Sequence, residues 1–323
     1  MRVALKHILK SIVIAVLLLQ AGCGALQLWW YAPDNEREDW SEWKQCFGKP
    51  LSKVGITHSV FCLEGERSKP PLLLLHELNG LTPETFRYAT ELSKDFTVYI
   101  PMLFGTKGEE SGRSGFKAYW FNGFINFFPH GEWGVPSDGS APIVSWLREV
   151  AAEIQAQDRT KRLRIIGNCM TGALPLALLS KANGDIDENI EAVVVSQPAL
   201  PMKFWWYTDH DHKSLGLSKN EEDLAVGSKA KILGLRFETD RISHPEKMNT
   251  LQSKFRGRFT EAEICAKDYE YNGTAARAHS TLIGERDTIG QIGELSKRAR
   301  QQVREWLIDS SIPIFTDVKC ASR

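Results

Sequence analysis

Short runs of consecutive apolar residues alternate along the chain with longer amphipathic stretches. We interpret five of these runs as strands, at 71–75, 96–100, 163–166, 192–195 and 232–237. Such a run is too short for a buried helix and fits a strand that is covered on both faces. The stretches between and after them predict helices, at 83–94, 141–154, 245–255 and 295–308. This alternation predicts an α/β fold with a mostly parallel sheet and helices on both faces.

Other parts of the chain depart from this pattern. The residues at 57–63 alternate and predict an edge strand, and a further strand is expected within 263–271. Two segments rich in aromatic residues, at about 104–140 and 201–216, show no strong period. We interpret both as insertions that leave the sheet. The first either lies over a site or packs its aromatic side chains against the body of the fold.

The composition is that of a globular protein without a strongly charged surface. The chain has 323 residues, 42% of them apolar, and Lys plus Arg equal Asp plus Glu at 40 each. Because there is no basic stripe, the sequence does not predict nucleic-acid binding. No repeat or linker divides the chain, so we expect an irregular lead-in at 24–56 and one domain at 57–323.

Residues 1–23 have the layout of a bacterial export signal, with a cationic start and an apolar core at 12–19. The Ala-Gly-Cys that follows resembles a lipobox, in which Cys23 would be lipidated, although Gln20 stands where that motif usually has Leu. An uncleaved anchor and a plainly cleaved signal are the alternatives. Each interpretation predicts export into a bacterial envelope, and the lipid or the anchor would attach the protein to a membrane.

Six cysteines divide into three groups. Cys23 belongs to the signal and Cys169 to a glycine-rich turn, which leaves an even number in an oxidising compartment. The remaining cysteines predict up to two disulfides, Cys46–Cys62 and Cys265–Cys320. Four unpaired, buried thiols are the alternative.

The segment around Cys169 predicts a strand, a sharp turn and a helix with one reactive side chain at the apex. The strand at 163–166 runs into Gly167-Asn168-Cys169-Met170-Thr171-Gly172, and a small apolar segment follows. In such a nucleophile elbow, glycines flank the turn because a Cβ there would collide with neighbouring backbone. The second glycine comes one residue later than usual. A buried structural cysteine in a glycine-rich turn is the alternative.

Reactive side chains follow several predicted strands in the order nucleophile, acid, histidine. Cys169, Asp240 and His279 each come after a strand, and ligand sites of open parallel sheets form at the strands' carboxyl ends. Cys169 would attack as a thiolate, His279 would move the proton, and Asp240 would orient the imidazole. Glu238 is the alternative acid. Among the other histidines, His76 is expected to order its own loop.

An oxyanion site would need two N–H groups near the thiol. Met170, the residue after the nucleophile, is expected to supply one of them. The loop after the strand at 71–75 is expected to supply the other, from Leu78.

These motifs together resemble the dienelactone hydrolase family. The resemblance lies in His76-Glu77-Leu78-Asn79-Gly80, in the elbow Gly167 to Gly172, in Asp240 and in Ala278-His279-Ser280. It implies an α/β-hydrolase fold and an esterase or lactonase with a Cys-His-Asp triad that needs no metal or other cofactor. It also implies that Glu77 contacts the resting thiol, whereas a loop salt bridge is the alternative.

Two departures from the family matter: the first slightly tightens the elbow, and the second bears on the substrate. Thr171 replaces the first glycine of the family's final pair, and Ile283 stands where the family has an arginine for the substrate carboxylate. Without that arginine we do not expect an anionic dienelactone to bind, and the two aromatic insertions predict a more apolar small-molecule ester or lactone. An acyltransferase or thiol peptidase on the same scaffold, and a non-catalytic surface-binding protein, are the alternatives.

Overall fold

The structure is a computed structural model. It describes residues 40–63, 68–77, 80–103, 132–133, 141–201, 208–265, 270–271, 274–275, 279–284 and 291–314. The predicted export signal with Cys23, the oxyanion residue Leu78, Cys320 and most of the first aromatic insertion lie outside the described residues.

The described elements alternate between strands and helices. The strands are β1 Trp43–Gln45, β2 Leu51–Lys53, β3 Ile56–His58, β4 Val60–Leu63, β5 Pro71–Leu75, β6 Thr97–Pro101, β7 Leu163–Asn168, β8 Ile190–Ser196, β9 Lys231–Phe237, β10 Phe259–Ile264, β11 Glu270–Tyr271 and β12 Thr274–Ala275. The α-helices are α1 Pro83–Leu92, α2 Pro142–Gln157, α3 Leu174–Ala177, α4 Asp209–Lys213, α5 Lys219–Gly227, α6 Pro245–Lys254 and α7 Gln291–Ile308.

Eight strands form the main sheet in the order β1-β4-β6-β5-β7-β8-β9-β10. From β6 to β10 all neighbours are parallel, while β4 pairs antiparallel with both β1 and β6. The chain passes from β5 outward to β6 and then crosses back to β7 on the other side of β5. Parallel sheets form their ligand sites at the carboxyl ends of the strands, beside such a reversal.

Two hydrophobic clusters cover the two faces of the sheet. Along β5, Leu73 and Leu75 face one cluster, whereas Leu72 and Leu74 face the other. Helices α2 and α6 pack on the first side, and α1 and α7 pack on the second. Because the central strands are buried on both faces, they are apolar at nearly every position. The predicted α/β architecture is confirmed.

Two strands of the main sheet differ from the expectation. The segment expected to be the edge strand contains β4, but β1 from the lead-in lies outside it, with Trp43 buried against the sheet. A strand of three residues is too short to show a period in the sequence. The strand expected within 263–271 is β10, which begins earlier, at Phe259. Its buried residues, Ala262 and Ile264, alternate with polar ones.

The helix expected after the elbow is also shorter than the sequence suggests. Residues Cys169–Thr171 form a single 3₁₀ turn, and α3 has only four residues. The aromatic segment at 201–216 holds the short helix α4. Among the described residues, no helix is long and apolar enough to cross a membrane.

Candidate active site

The elbow adopts a conformation that its two glycines permit. Cys169 has a φ of +53°, which is uncommon for a residue with a side chain. A Cβ on Gly167 would lie 2.3 Å from the Thr171 carbonyl oxygen, and one on Gly172 would lie 2.6 Å from the Pro198 Cα. Side chains at these positions would therefore push the turn away from its neighbours. Gly172 meets this need although it comes one residue late.

Thr171 hydrogen-bonds the elbow to the end of β5. Its buried hydroxyl accepts a hydrogen bond from the Asn168 N–H at 2.9 Å and lies 3.2 Å from the carbonyl oxygens of both Leu75 and His76. The Asn168 amide also donates to the Leu75 carbonyl, at 2.9 Å. Replacing glycine by threonine thus adds contacts that hold the turn in place.

His279 lies between Asp240 and Cys169. Its Nδ1 is 2.7 Å from Asp240 Oδ2, and the carboxylate is fully buried. Burial lowers the pKa of His279, but the charges of Asp240 and Cys169 and the hydrogen bond to Asp240 raise it well above its ordinary value. The two acidic partners thus stabilise an imidazolium. The predicted site residues Cys169, His279 and Asp240 come together in one place.

The loop after β9 fixes Asp240 through its own backbone. Asp240 Oδ1 accepts hydrogen bonds from the N–H groups of Ile242 at 2.8 Å and Ser243 at 3.0 Å. Oδ2 is left to face the histidine. The alternative acid, Glu238, is placed earlier in the turn, where its N–H donates to Ile264 in β10.

A buried arginine on β9 also stabilises this loop. Arg236 on β9 donates to the carbonyl oxygens of Ser243 at 3.0 Å, Glu238 at 3.1 Å and Asp240 at 3.0 Å. It also forms an ion pair with Glu263, its cross-strand neighbour on β10. The guanidinium therefore ties together the carbonyl groups of the turn that carries the acid.

Glu77 is held mainly by side chains. Its Oε1 accepts a hydrogen bond from Gln197 Nε2 at 2.8 Å and another from the Ser280 hydroxyl. Gln197 follows β8, and Ser280 adjoins His279. Glu77 therefore lies in the same cluster as the other predicted site residues.

His76, immediately before Glu77, is a neutral structural residue. Its Nε2 accepts a hydrogen bond from the Leu103 N–H at 2.9 Å, so Nδ1 carries the proton and donates to the Glu77 carbonyl oxygen at 2.6 Å. Burial lowers its pKa to about 4, although the bond to the Glu77 carbonyl opposes this shift. As expected from its position, His76 orders the loop that carries Glu77.

The remaining predicted residues are distributed as follows. Met170 is buried at the start of the 3₁₀ turn, where N–H groups lack intrahelical partners, and Leu78 is outside the described residues.

Cys46 and Cys62 form a disulfide, with Cα atoms 5.4 Å apart. Cys265 is also disulfide-bonded, and its expected partner, Cys320, lies outside the described residues. Ile283 is buried in the core beside α7.

Sequence reasoning missed three residues that hold the site: Arg236, Gln197 and Ser280. Arg236 lies inside an apolar run and is hidden by it. Gln197 and Ser280 each stand at a recognisable place, one after β8 and the other beside His279. Position at the carboxyl end of a strand was therefore the signal that could have identified Gln197 and Ser280.

No group of three or more His, Cys, Asp or Glu side chains suited to a metal ion occurs in the described ranges.

Comparison with solved structures identifies the fold. A protein assigned as a dienelactone hydrolase, from Klebsiella pneumoniae, superimposes with a TM-score of 0.52 at 16% identity, covering 81% of this chain and 97% of its own. The chain has the α/β-hydrolase fold of the dienelactone hydrolases. A dienelactone hydrolase from Anabaena variabilis is similar over 83% of this chain and 98% of its own, with 10% identity and a TM-score of 0.47. No protein-family model and no curated protein matches the sequence significantly.

Proposed function

We propose that this α/β-hydrolase cleaves a carboxylic ester or lactone through Cys169 and a covalent acyl-enzyme. The observation that supports this most directly is the position of His279, whose Nδ1 is hydrogen-bonded to the buried Asp240 and whose pKa is raised by the charges of both Asp240 and Cys169. A cysteine, a histidine and a carboxylate in this arrangement have the roles of an activated nucleophile, a proton carrier and an orienting acid.

In the first half of the reaction the Cys169 thiolate attacks the carbonyl carbon and forms the tetrahedral intermediate. The Met170 N–H, and the expected N–H of Leu78, would stabilise the oxyanion. When the intermediate collapses, the carbon–oxygen bond breaks and His279 gives its proton to the leaving alkoxide. Asp240 keeps the Nδ1 proton on the ring throughout.

In the second half water hydrolyses the thioester. Neutral His279 accepts a proton from the water, whose oxygen attacks the acyl carbon. Collapse of this second intermediate releases the carboxylic acid and returns the thiolate beside the imidazolium. His279 therefore acts as an acid in the first half and as a base in the second, and Cys169 is first the nucleophile and then the leaving group.

We propose that the substrate has no carboxylate that must pair with a positive charge at position 283. Ile283 is buried in the core, so its side chain contributes packing rather than charge. We propose a neutral, apolar ester or lactone as the substrate, because position 283 offers no positive charge for a substrate carboxylate and the two insertions are rich in aromatic residues. We further propose that residues 1–23 export the protein and attach it to a membrane of the bacterial envelope.

The experiment is hydrolysis of p-nitrophenyl esters by the wild type and by Cys169→Ala. We expect kcat/KM to fall at least about a thousandfold without the nucleophile, while the variant unfolds at a similar temperature. Equal rates would refute the assignment of Cys169. Running the reaction with an added alcohol or amine separates hydrolysis from acyl transfer, because a transferase would form a new ester or amide.

A further inference from the structure

The segment that follows β8 runs along the nucleophile elbow. The Ala199 N–H donates to the Cys169 carbonyl oxygen at 3.0 Å. Pro198 packs against the same turn, because a Cβ on Gly172 would lie 2.6 Å from the Pro198 Cα. Leu200 is the next residue along the chain, so its backbone begins beside the nucleophile.

Leu200 is a half-buried apolar side chain close to a half-buried thiol. Both Leu200 and Cys169 pack against the hydrophobic cluster on the α2 side of the sheet and are partly exposed. They lie at the carboxyl ends of parallel strands, where ligand sites of such sheets form. Ligand pockets are lined mainly by apolar side chains around a few polar groups. The exposed part of Leu200 is therefore suited to contact an apolar part of a substrate.

A buried lysine binds the carbonyl group of Leu200. Lys247 lies on α6, is 0% exposed, and donates through Nζ to the carbonyl oxygens of Leu200 at 3.0 Å, Asp211 at 2.8 Å and Ser214 at 2.6 Å. An ammonium group has three donors, and burying its charge is costly unless they are satisfied. The three carbonyl oxygens meet this need. Lys247 thus connects α6 to both ends of the segment at 200–214.

The position of this segment is consequently determined by α6. Because the Leu200 and Asp211 carbonyl oxygens bind the same ammonium nitrogen, they lie within about 6 Å of each other. Compact loops with close ends are frequently functional. A second contact joins the same elements, since His212 on α4 stacks on His244, the N-cap residue of α6, with ring centroids 4.0 Å apart.

We propose that Leu200 forms an apolar wall of the substrate pocket beside Cys169, and that Lys247 is the positioning residue that keeps this wall close to the thiol. The proposal rests on the proposed function, in which Cys169 attacks the substrate carbonyl. Contact with Leu200 favours substrates with an apolar chain near that carbonyl. Without the ammonium group, the Leu200 carbonyl loses its donor and the wall can move away from the elbow.

The test compares how fast N-methylmaleimide and N-hexylmaleimide add to Cys169, with the modified peptide quantified by mass spectrometry. The thiolate sulfur forms a bond to one alkene carbon of the ring, and the other carbon takes a proton from water. Both reagents react with the same thiolate. The hexyl-to-methyl ratio of rate constants is therefore independent of the ionisation of the thiol and reports contact with the alkyl chain.

Leu200→Ala should lower this ratio by about three- to tenfold, because the hexyl chain loses an apolar contact that the methyl group hardly makes. Lys247→Met, which removes the ammonium group at similar length, should lower the ratio in the same direction by about two- to fivefold. In the Leu200→Ala background, Lys247→Met should add little, because residues that act through one contact are not additive.

Two further variants complete the comparison. Lys247→Gln retains an amide that can donate to carbonyl groups, so it should lower the ratio less than Lys247→Met and provides a milder change if the methionine variant does not fold. The matched control is Lys254→Met, on the same helix, which breaks a partly exposed ion pair with Glu222 at 2.7 Å. This control should leave the ratio unchanged.

The proposal is overturned if Leu200→Ala leaves the ratio unchanged, or if Lys247→Met lowers it equally with and without Leu200. It is also overturned if Lys247→Met slows both reagents by the same factor, because that result would show a structural role alone. Labelling requires no turnover, so these outcomes are independent of ester hydrolysis. Failure of the proposed function would show instead as full hydrolysis by Cys169→Ala.

Discussion

The two buried carboxylates of the site are held in opposite ways. Asp240 is fixed by two backbone N–H groups of its own turn, and the carbonyl groups of that turn bind the buried guanidinium of Arg236. Glu77 is fixed by the neutral side chains of Gln197 and Ser280, which come from other parts of the chain. The first arrangement depends on local backbone and the second on distant side chains.

This difference suggests that the two carboxylates tolerate change differently. A substitution outside this turn and Arg236 leaves the backbone donors of Asp240 in place, so Asp240 stays hydrogen-bonded to His279. The position of Glu77, in contrast, depends on side chains that a single substitution can remove. The site thus combines one carboxylate fixed by its own backbone with another fixed by side chains from other parts of the chain.

The largest effect is expected from Asp240→Asn. The asparagine would turn its NH₂ toward His279 Nδ1 and favour the wrong tautomer, so kcat should fall by about 10⁴-fold, or roughly 5 kcal/mol. Glu77→Gln, the matched amide substitution, should change kcat less than about tenfold. Similar losses in the two variants would remove the distinction between the two carboxylates. The measurement is steady-state hydrolysis of a p-nitrophenyl ester.

The next effect concerns Arg236→Met. Because the guanidinium is buried, its removal leaves Glu263 and three carbonyl groups without their donor, and the free energy of unfolding should fall by about 4 kcal/mol. The control is Arg304→Met, which breaks the partly exposed ion pair with Asp95 and should cost less than about 1 kcal/mol. Urea denaturation of both variants measures the difference. Equal losses would show that Arg236 does not support the acid turn.

The smallest effect concerns neutral His76, the residue that precedes Glu77. Its folded pKa of about 4 lies below the ordinary value of 6.5, so the unfolded chain binds the extra proton first as the pH falls. The stability contributed by neutral His76 is complete above pH 6.5 and is lost between pH 6.5 and 4, by about 3 kcal/mol.

Comparison of variants isolates this contribution from those of the carboxylates. The free energy of unfolding of His76→Gln should fall less steeply between pH 7 and 4 than that of the wild type. His210→Gln, at an exposed histidine on α4, should run parallel to the wild type. Parallel curves for all three proteins would contradict the neutral state of His76.

The fold was predictable where buried strands are continuous apolar runs. The strands β5, β6, β7, β8 and β9 were all recognised in this way. β1 and β10 were missed or misplaced, because a three-residue strand and a half-polar edge strand produce no strong period. Apolar burial on both faces leaves a clear signal, and partial burial does not.

The site was predictable to the extent that its residues follow strands in a recognisable order. Cys169, Asp240 and His279 were found by that order, and the structure brings them together. Gln197 and Ser280 were not found, since a buried hydrogen-bond network depends on which side chains meet in space. No spacing in the sequence reports that the ends of β5 and β8 join across β7.

The most direct test of the central claim is the position of the acyl group during turnover. The wild type is mixed with a p-nitrophenyl ester of a bulky, slowly released acid, quenched with acid within the first turnover, digested and analysed by mass spectrometry. The mechanism predicts one acyl group on the peptide that contains Cys169, formed in step with the release of p-nitrophenol. Release of p-nitrophenol with the acyl group on another residue, or with Cys169 unmodified throughout, would contradict it.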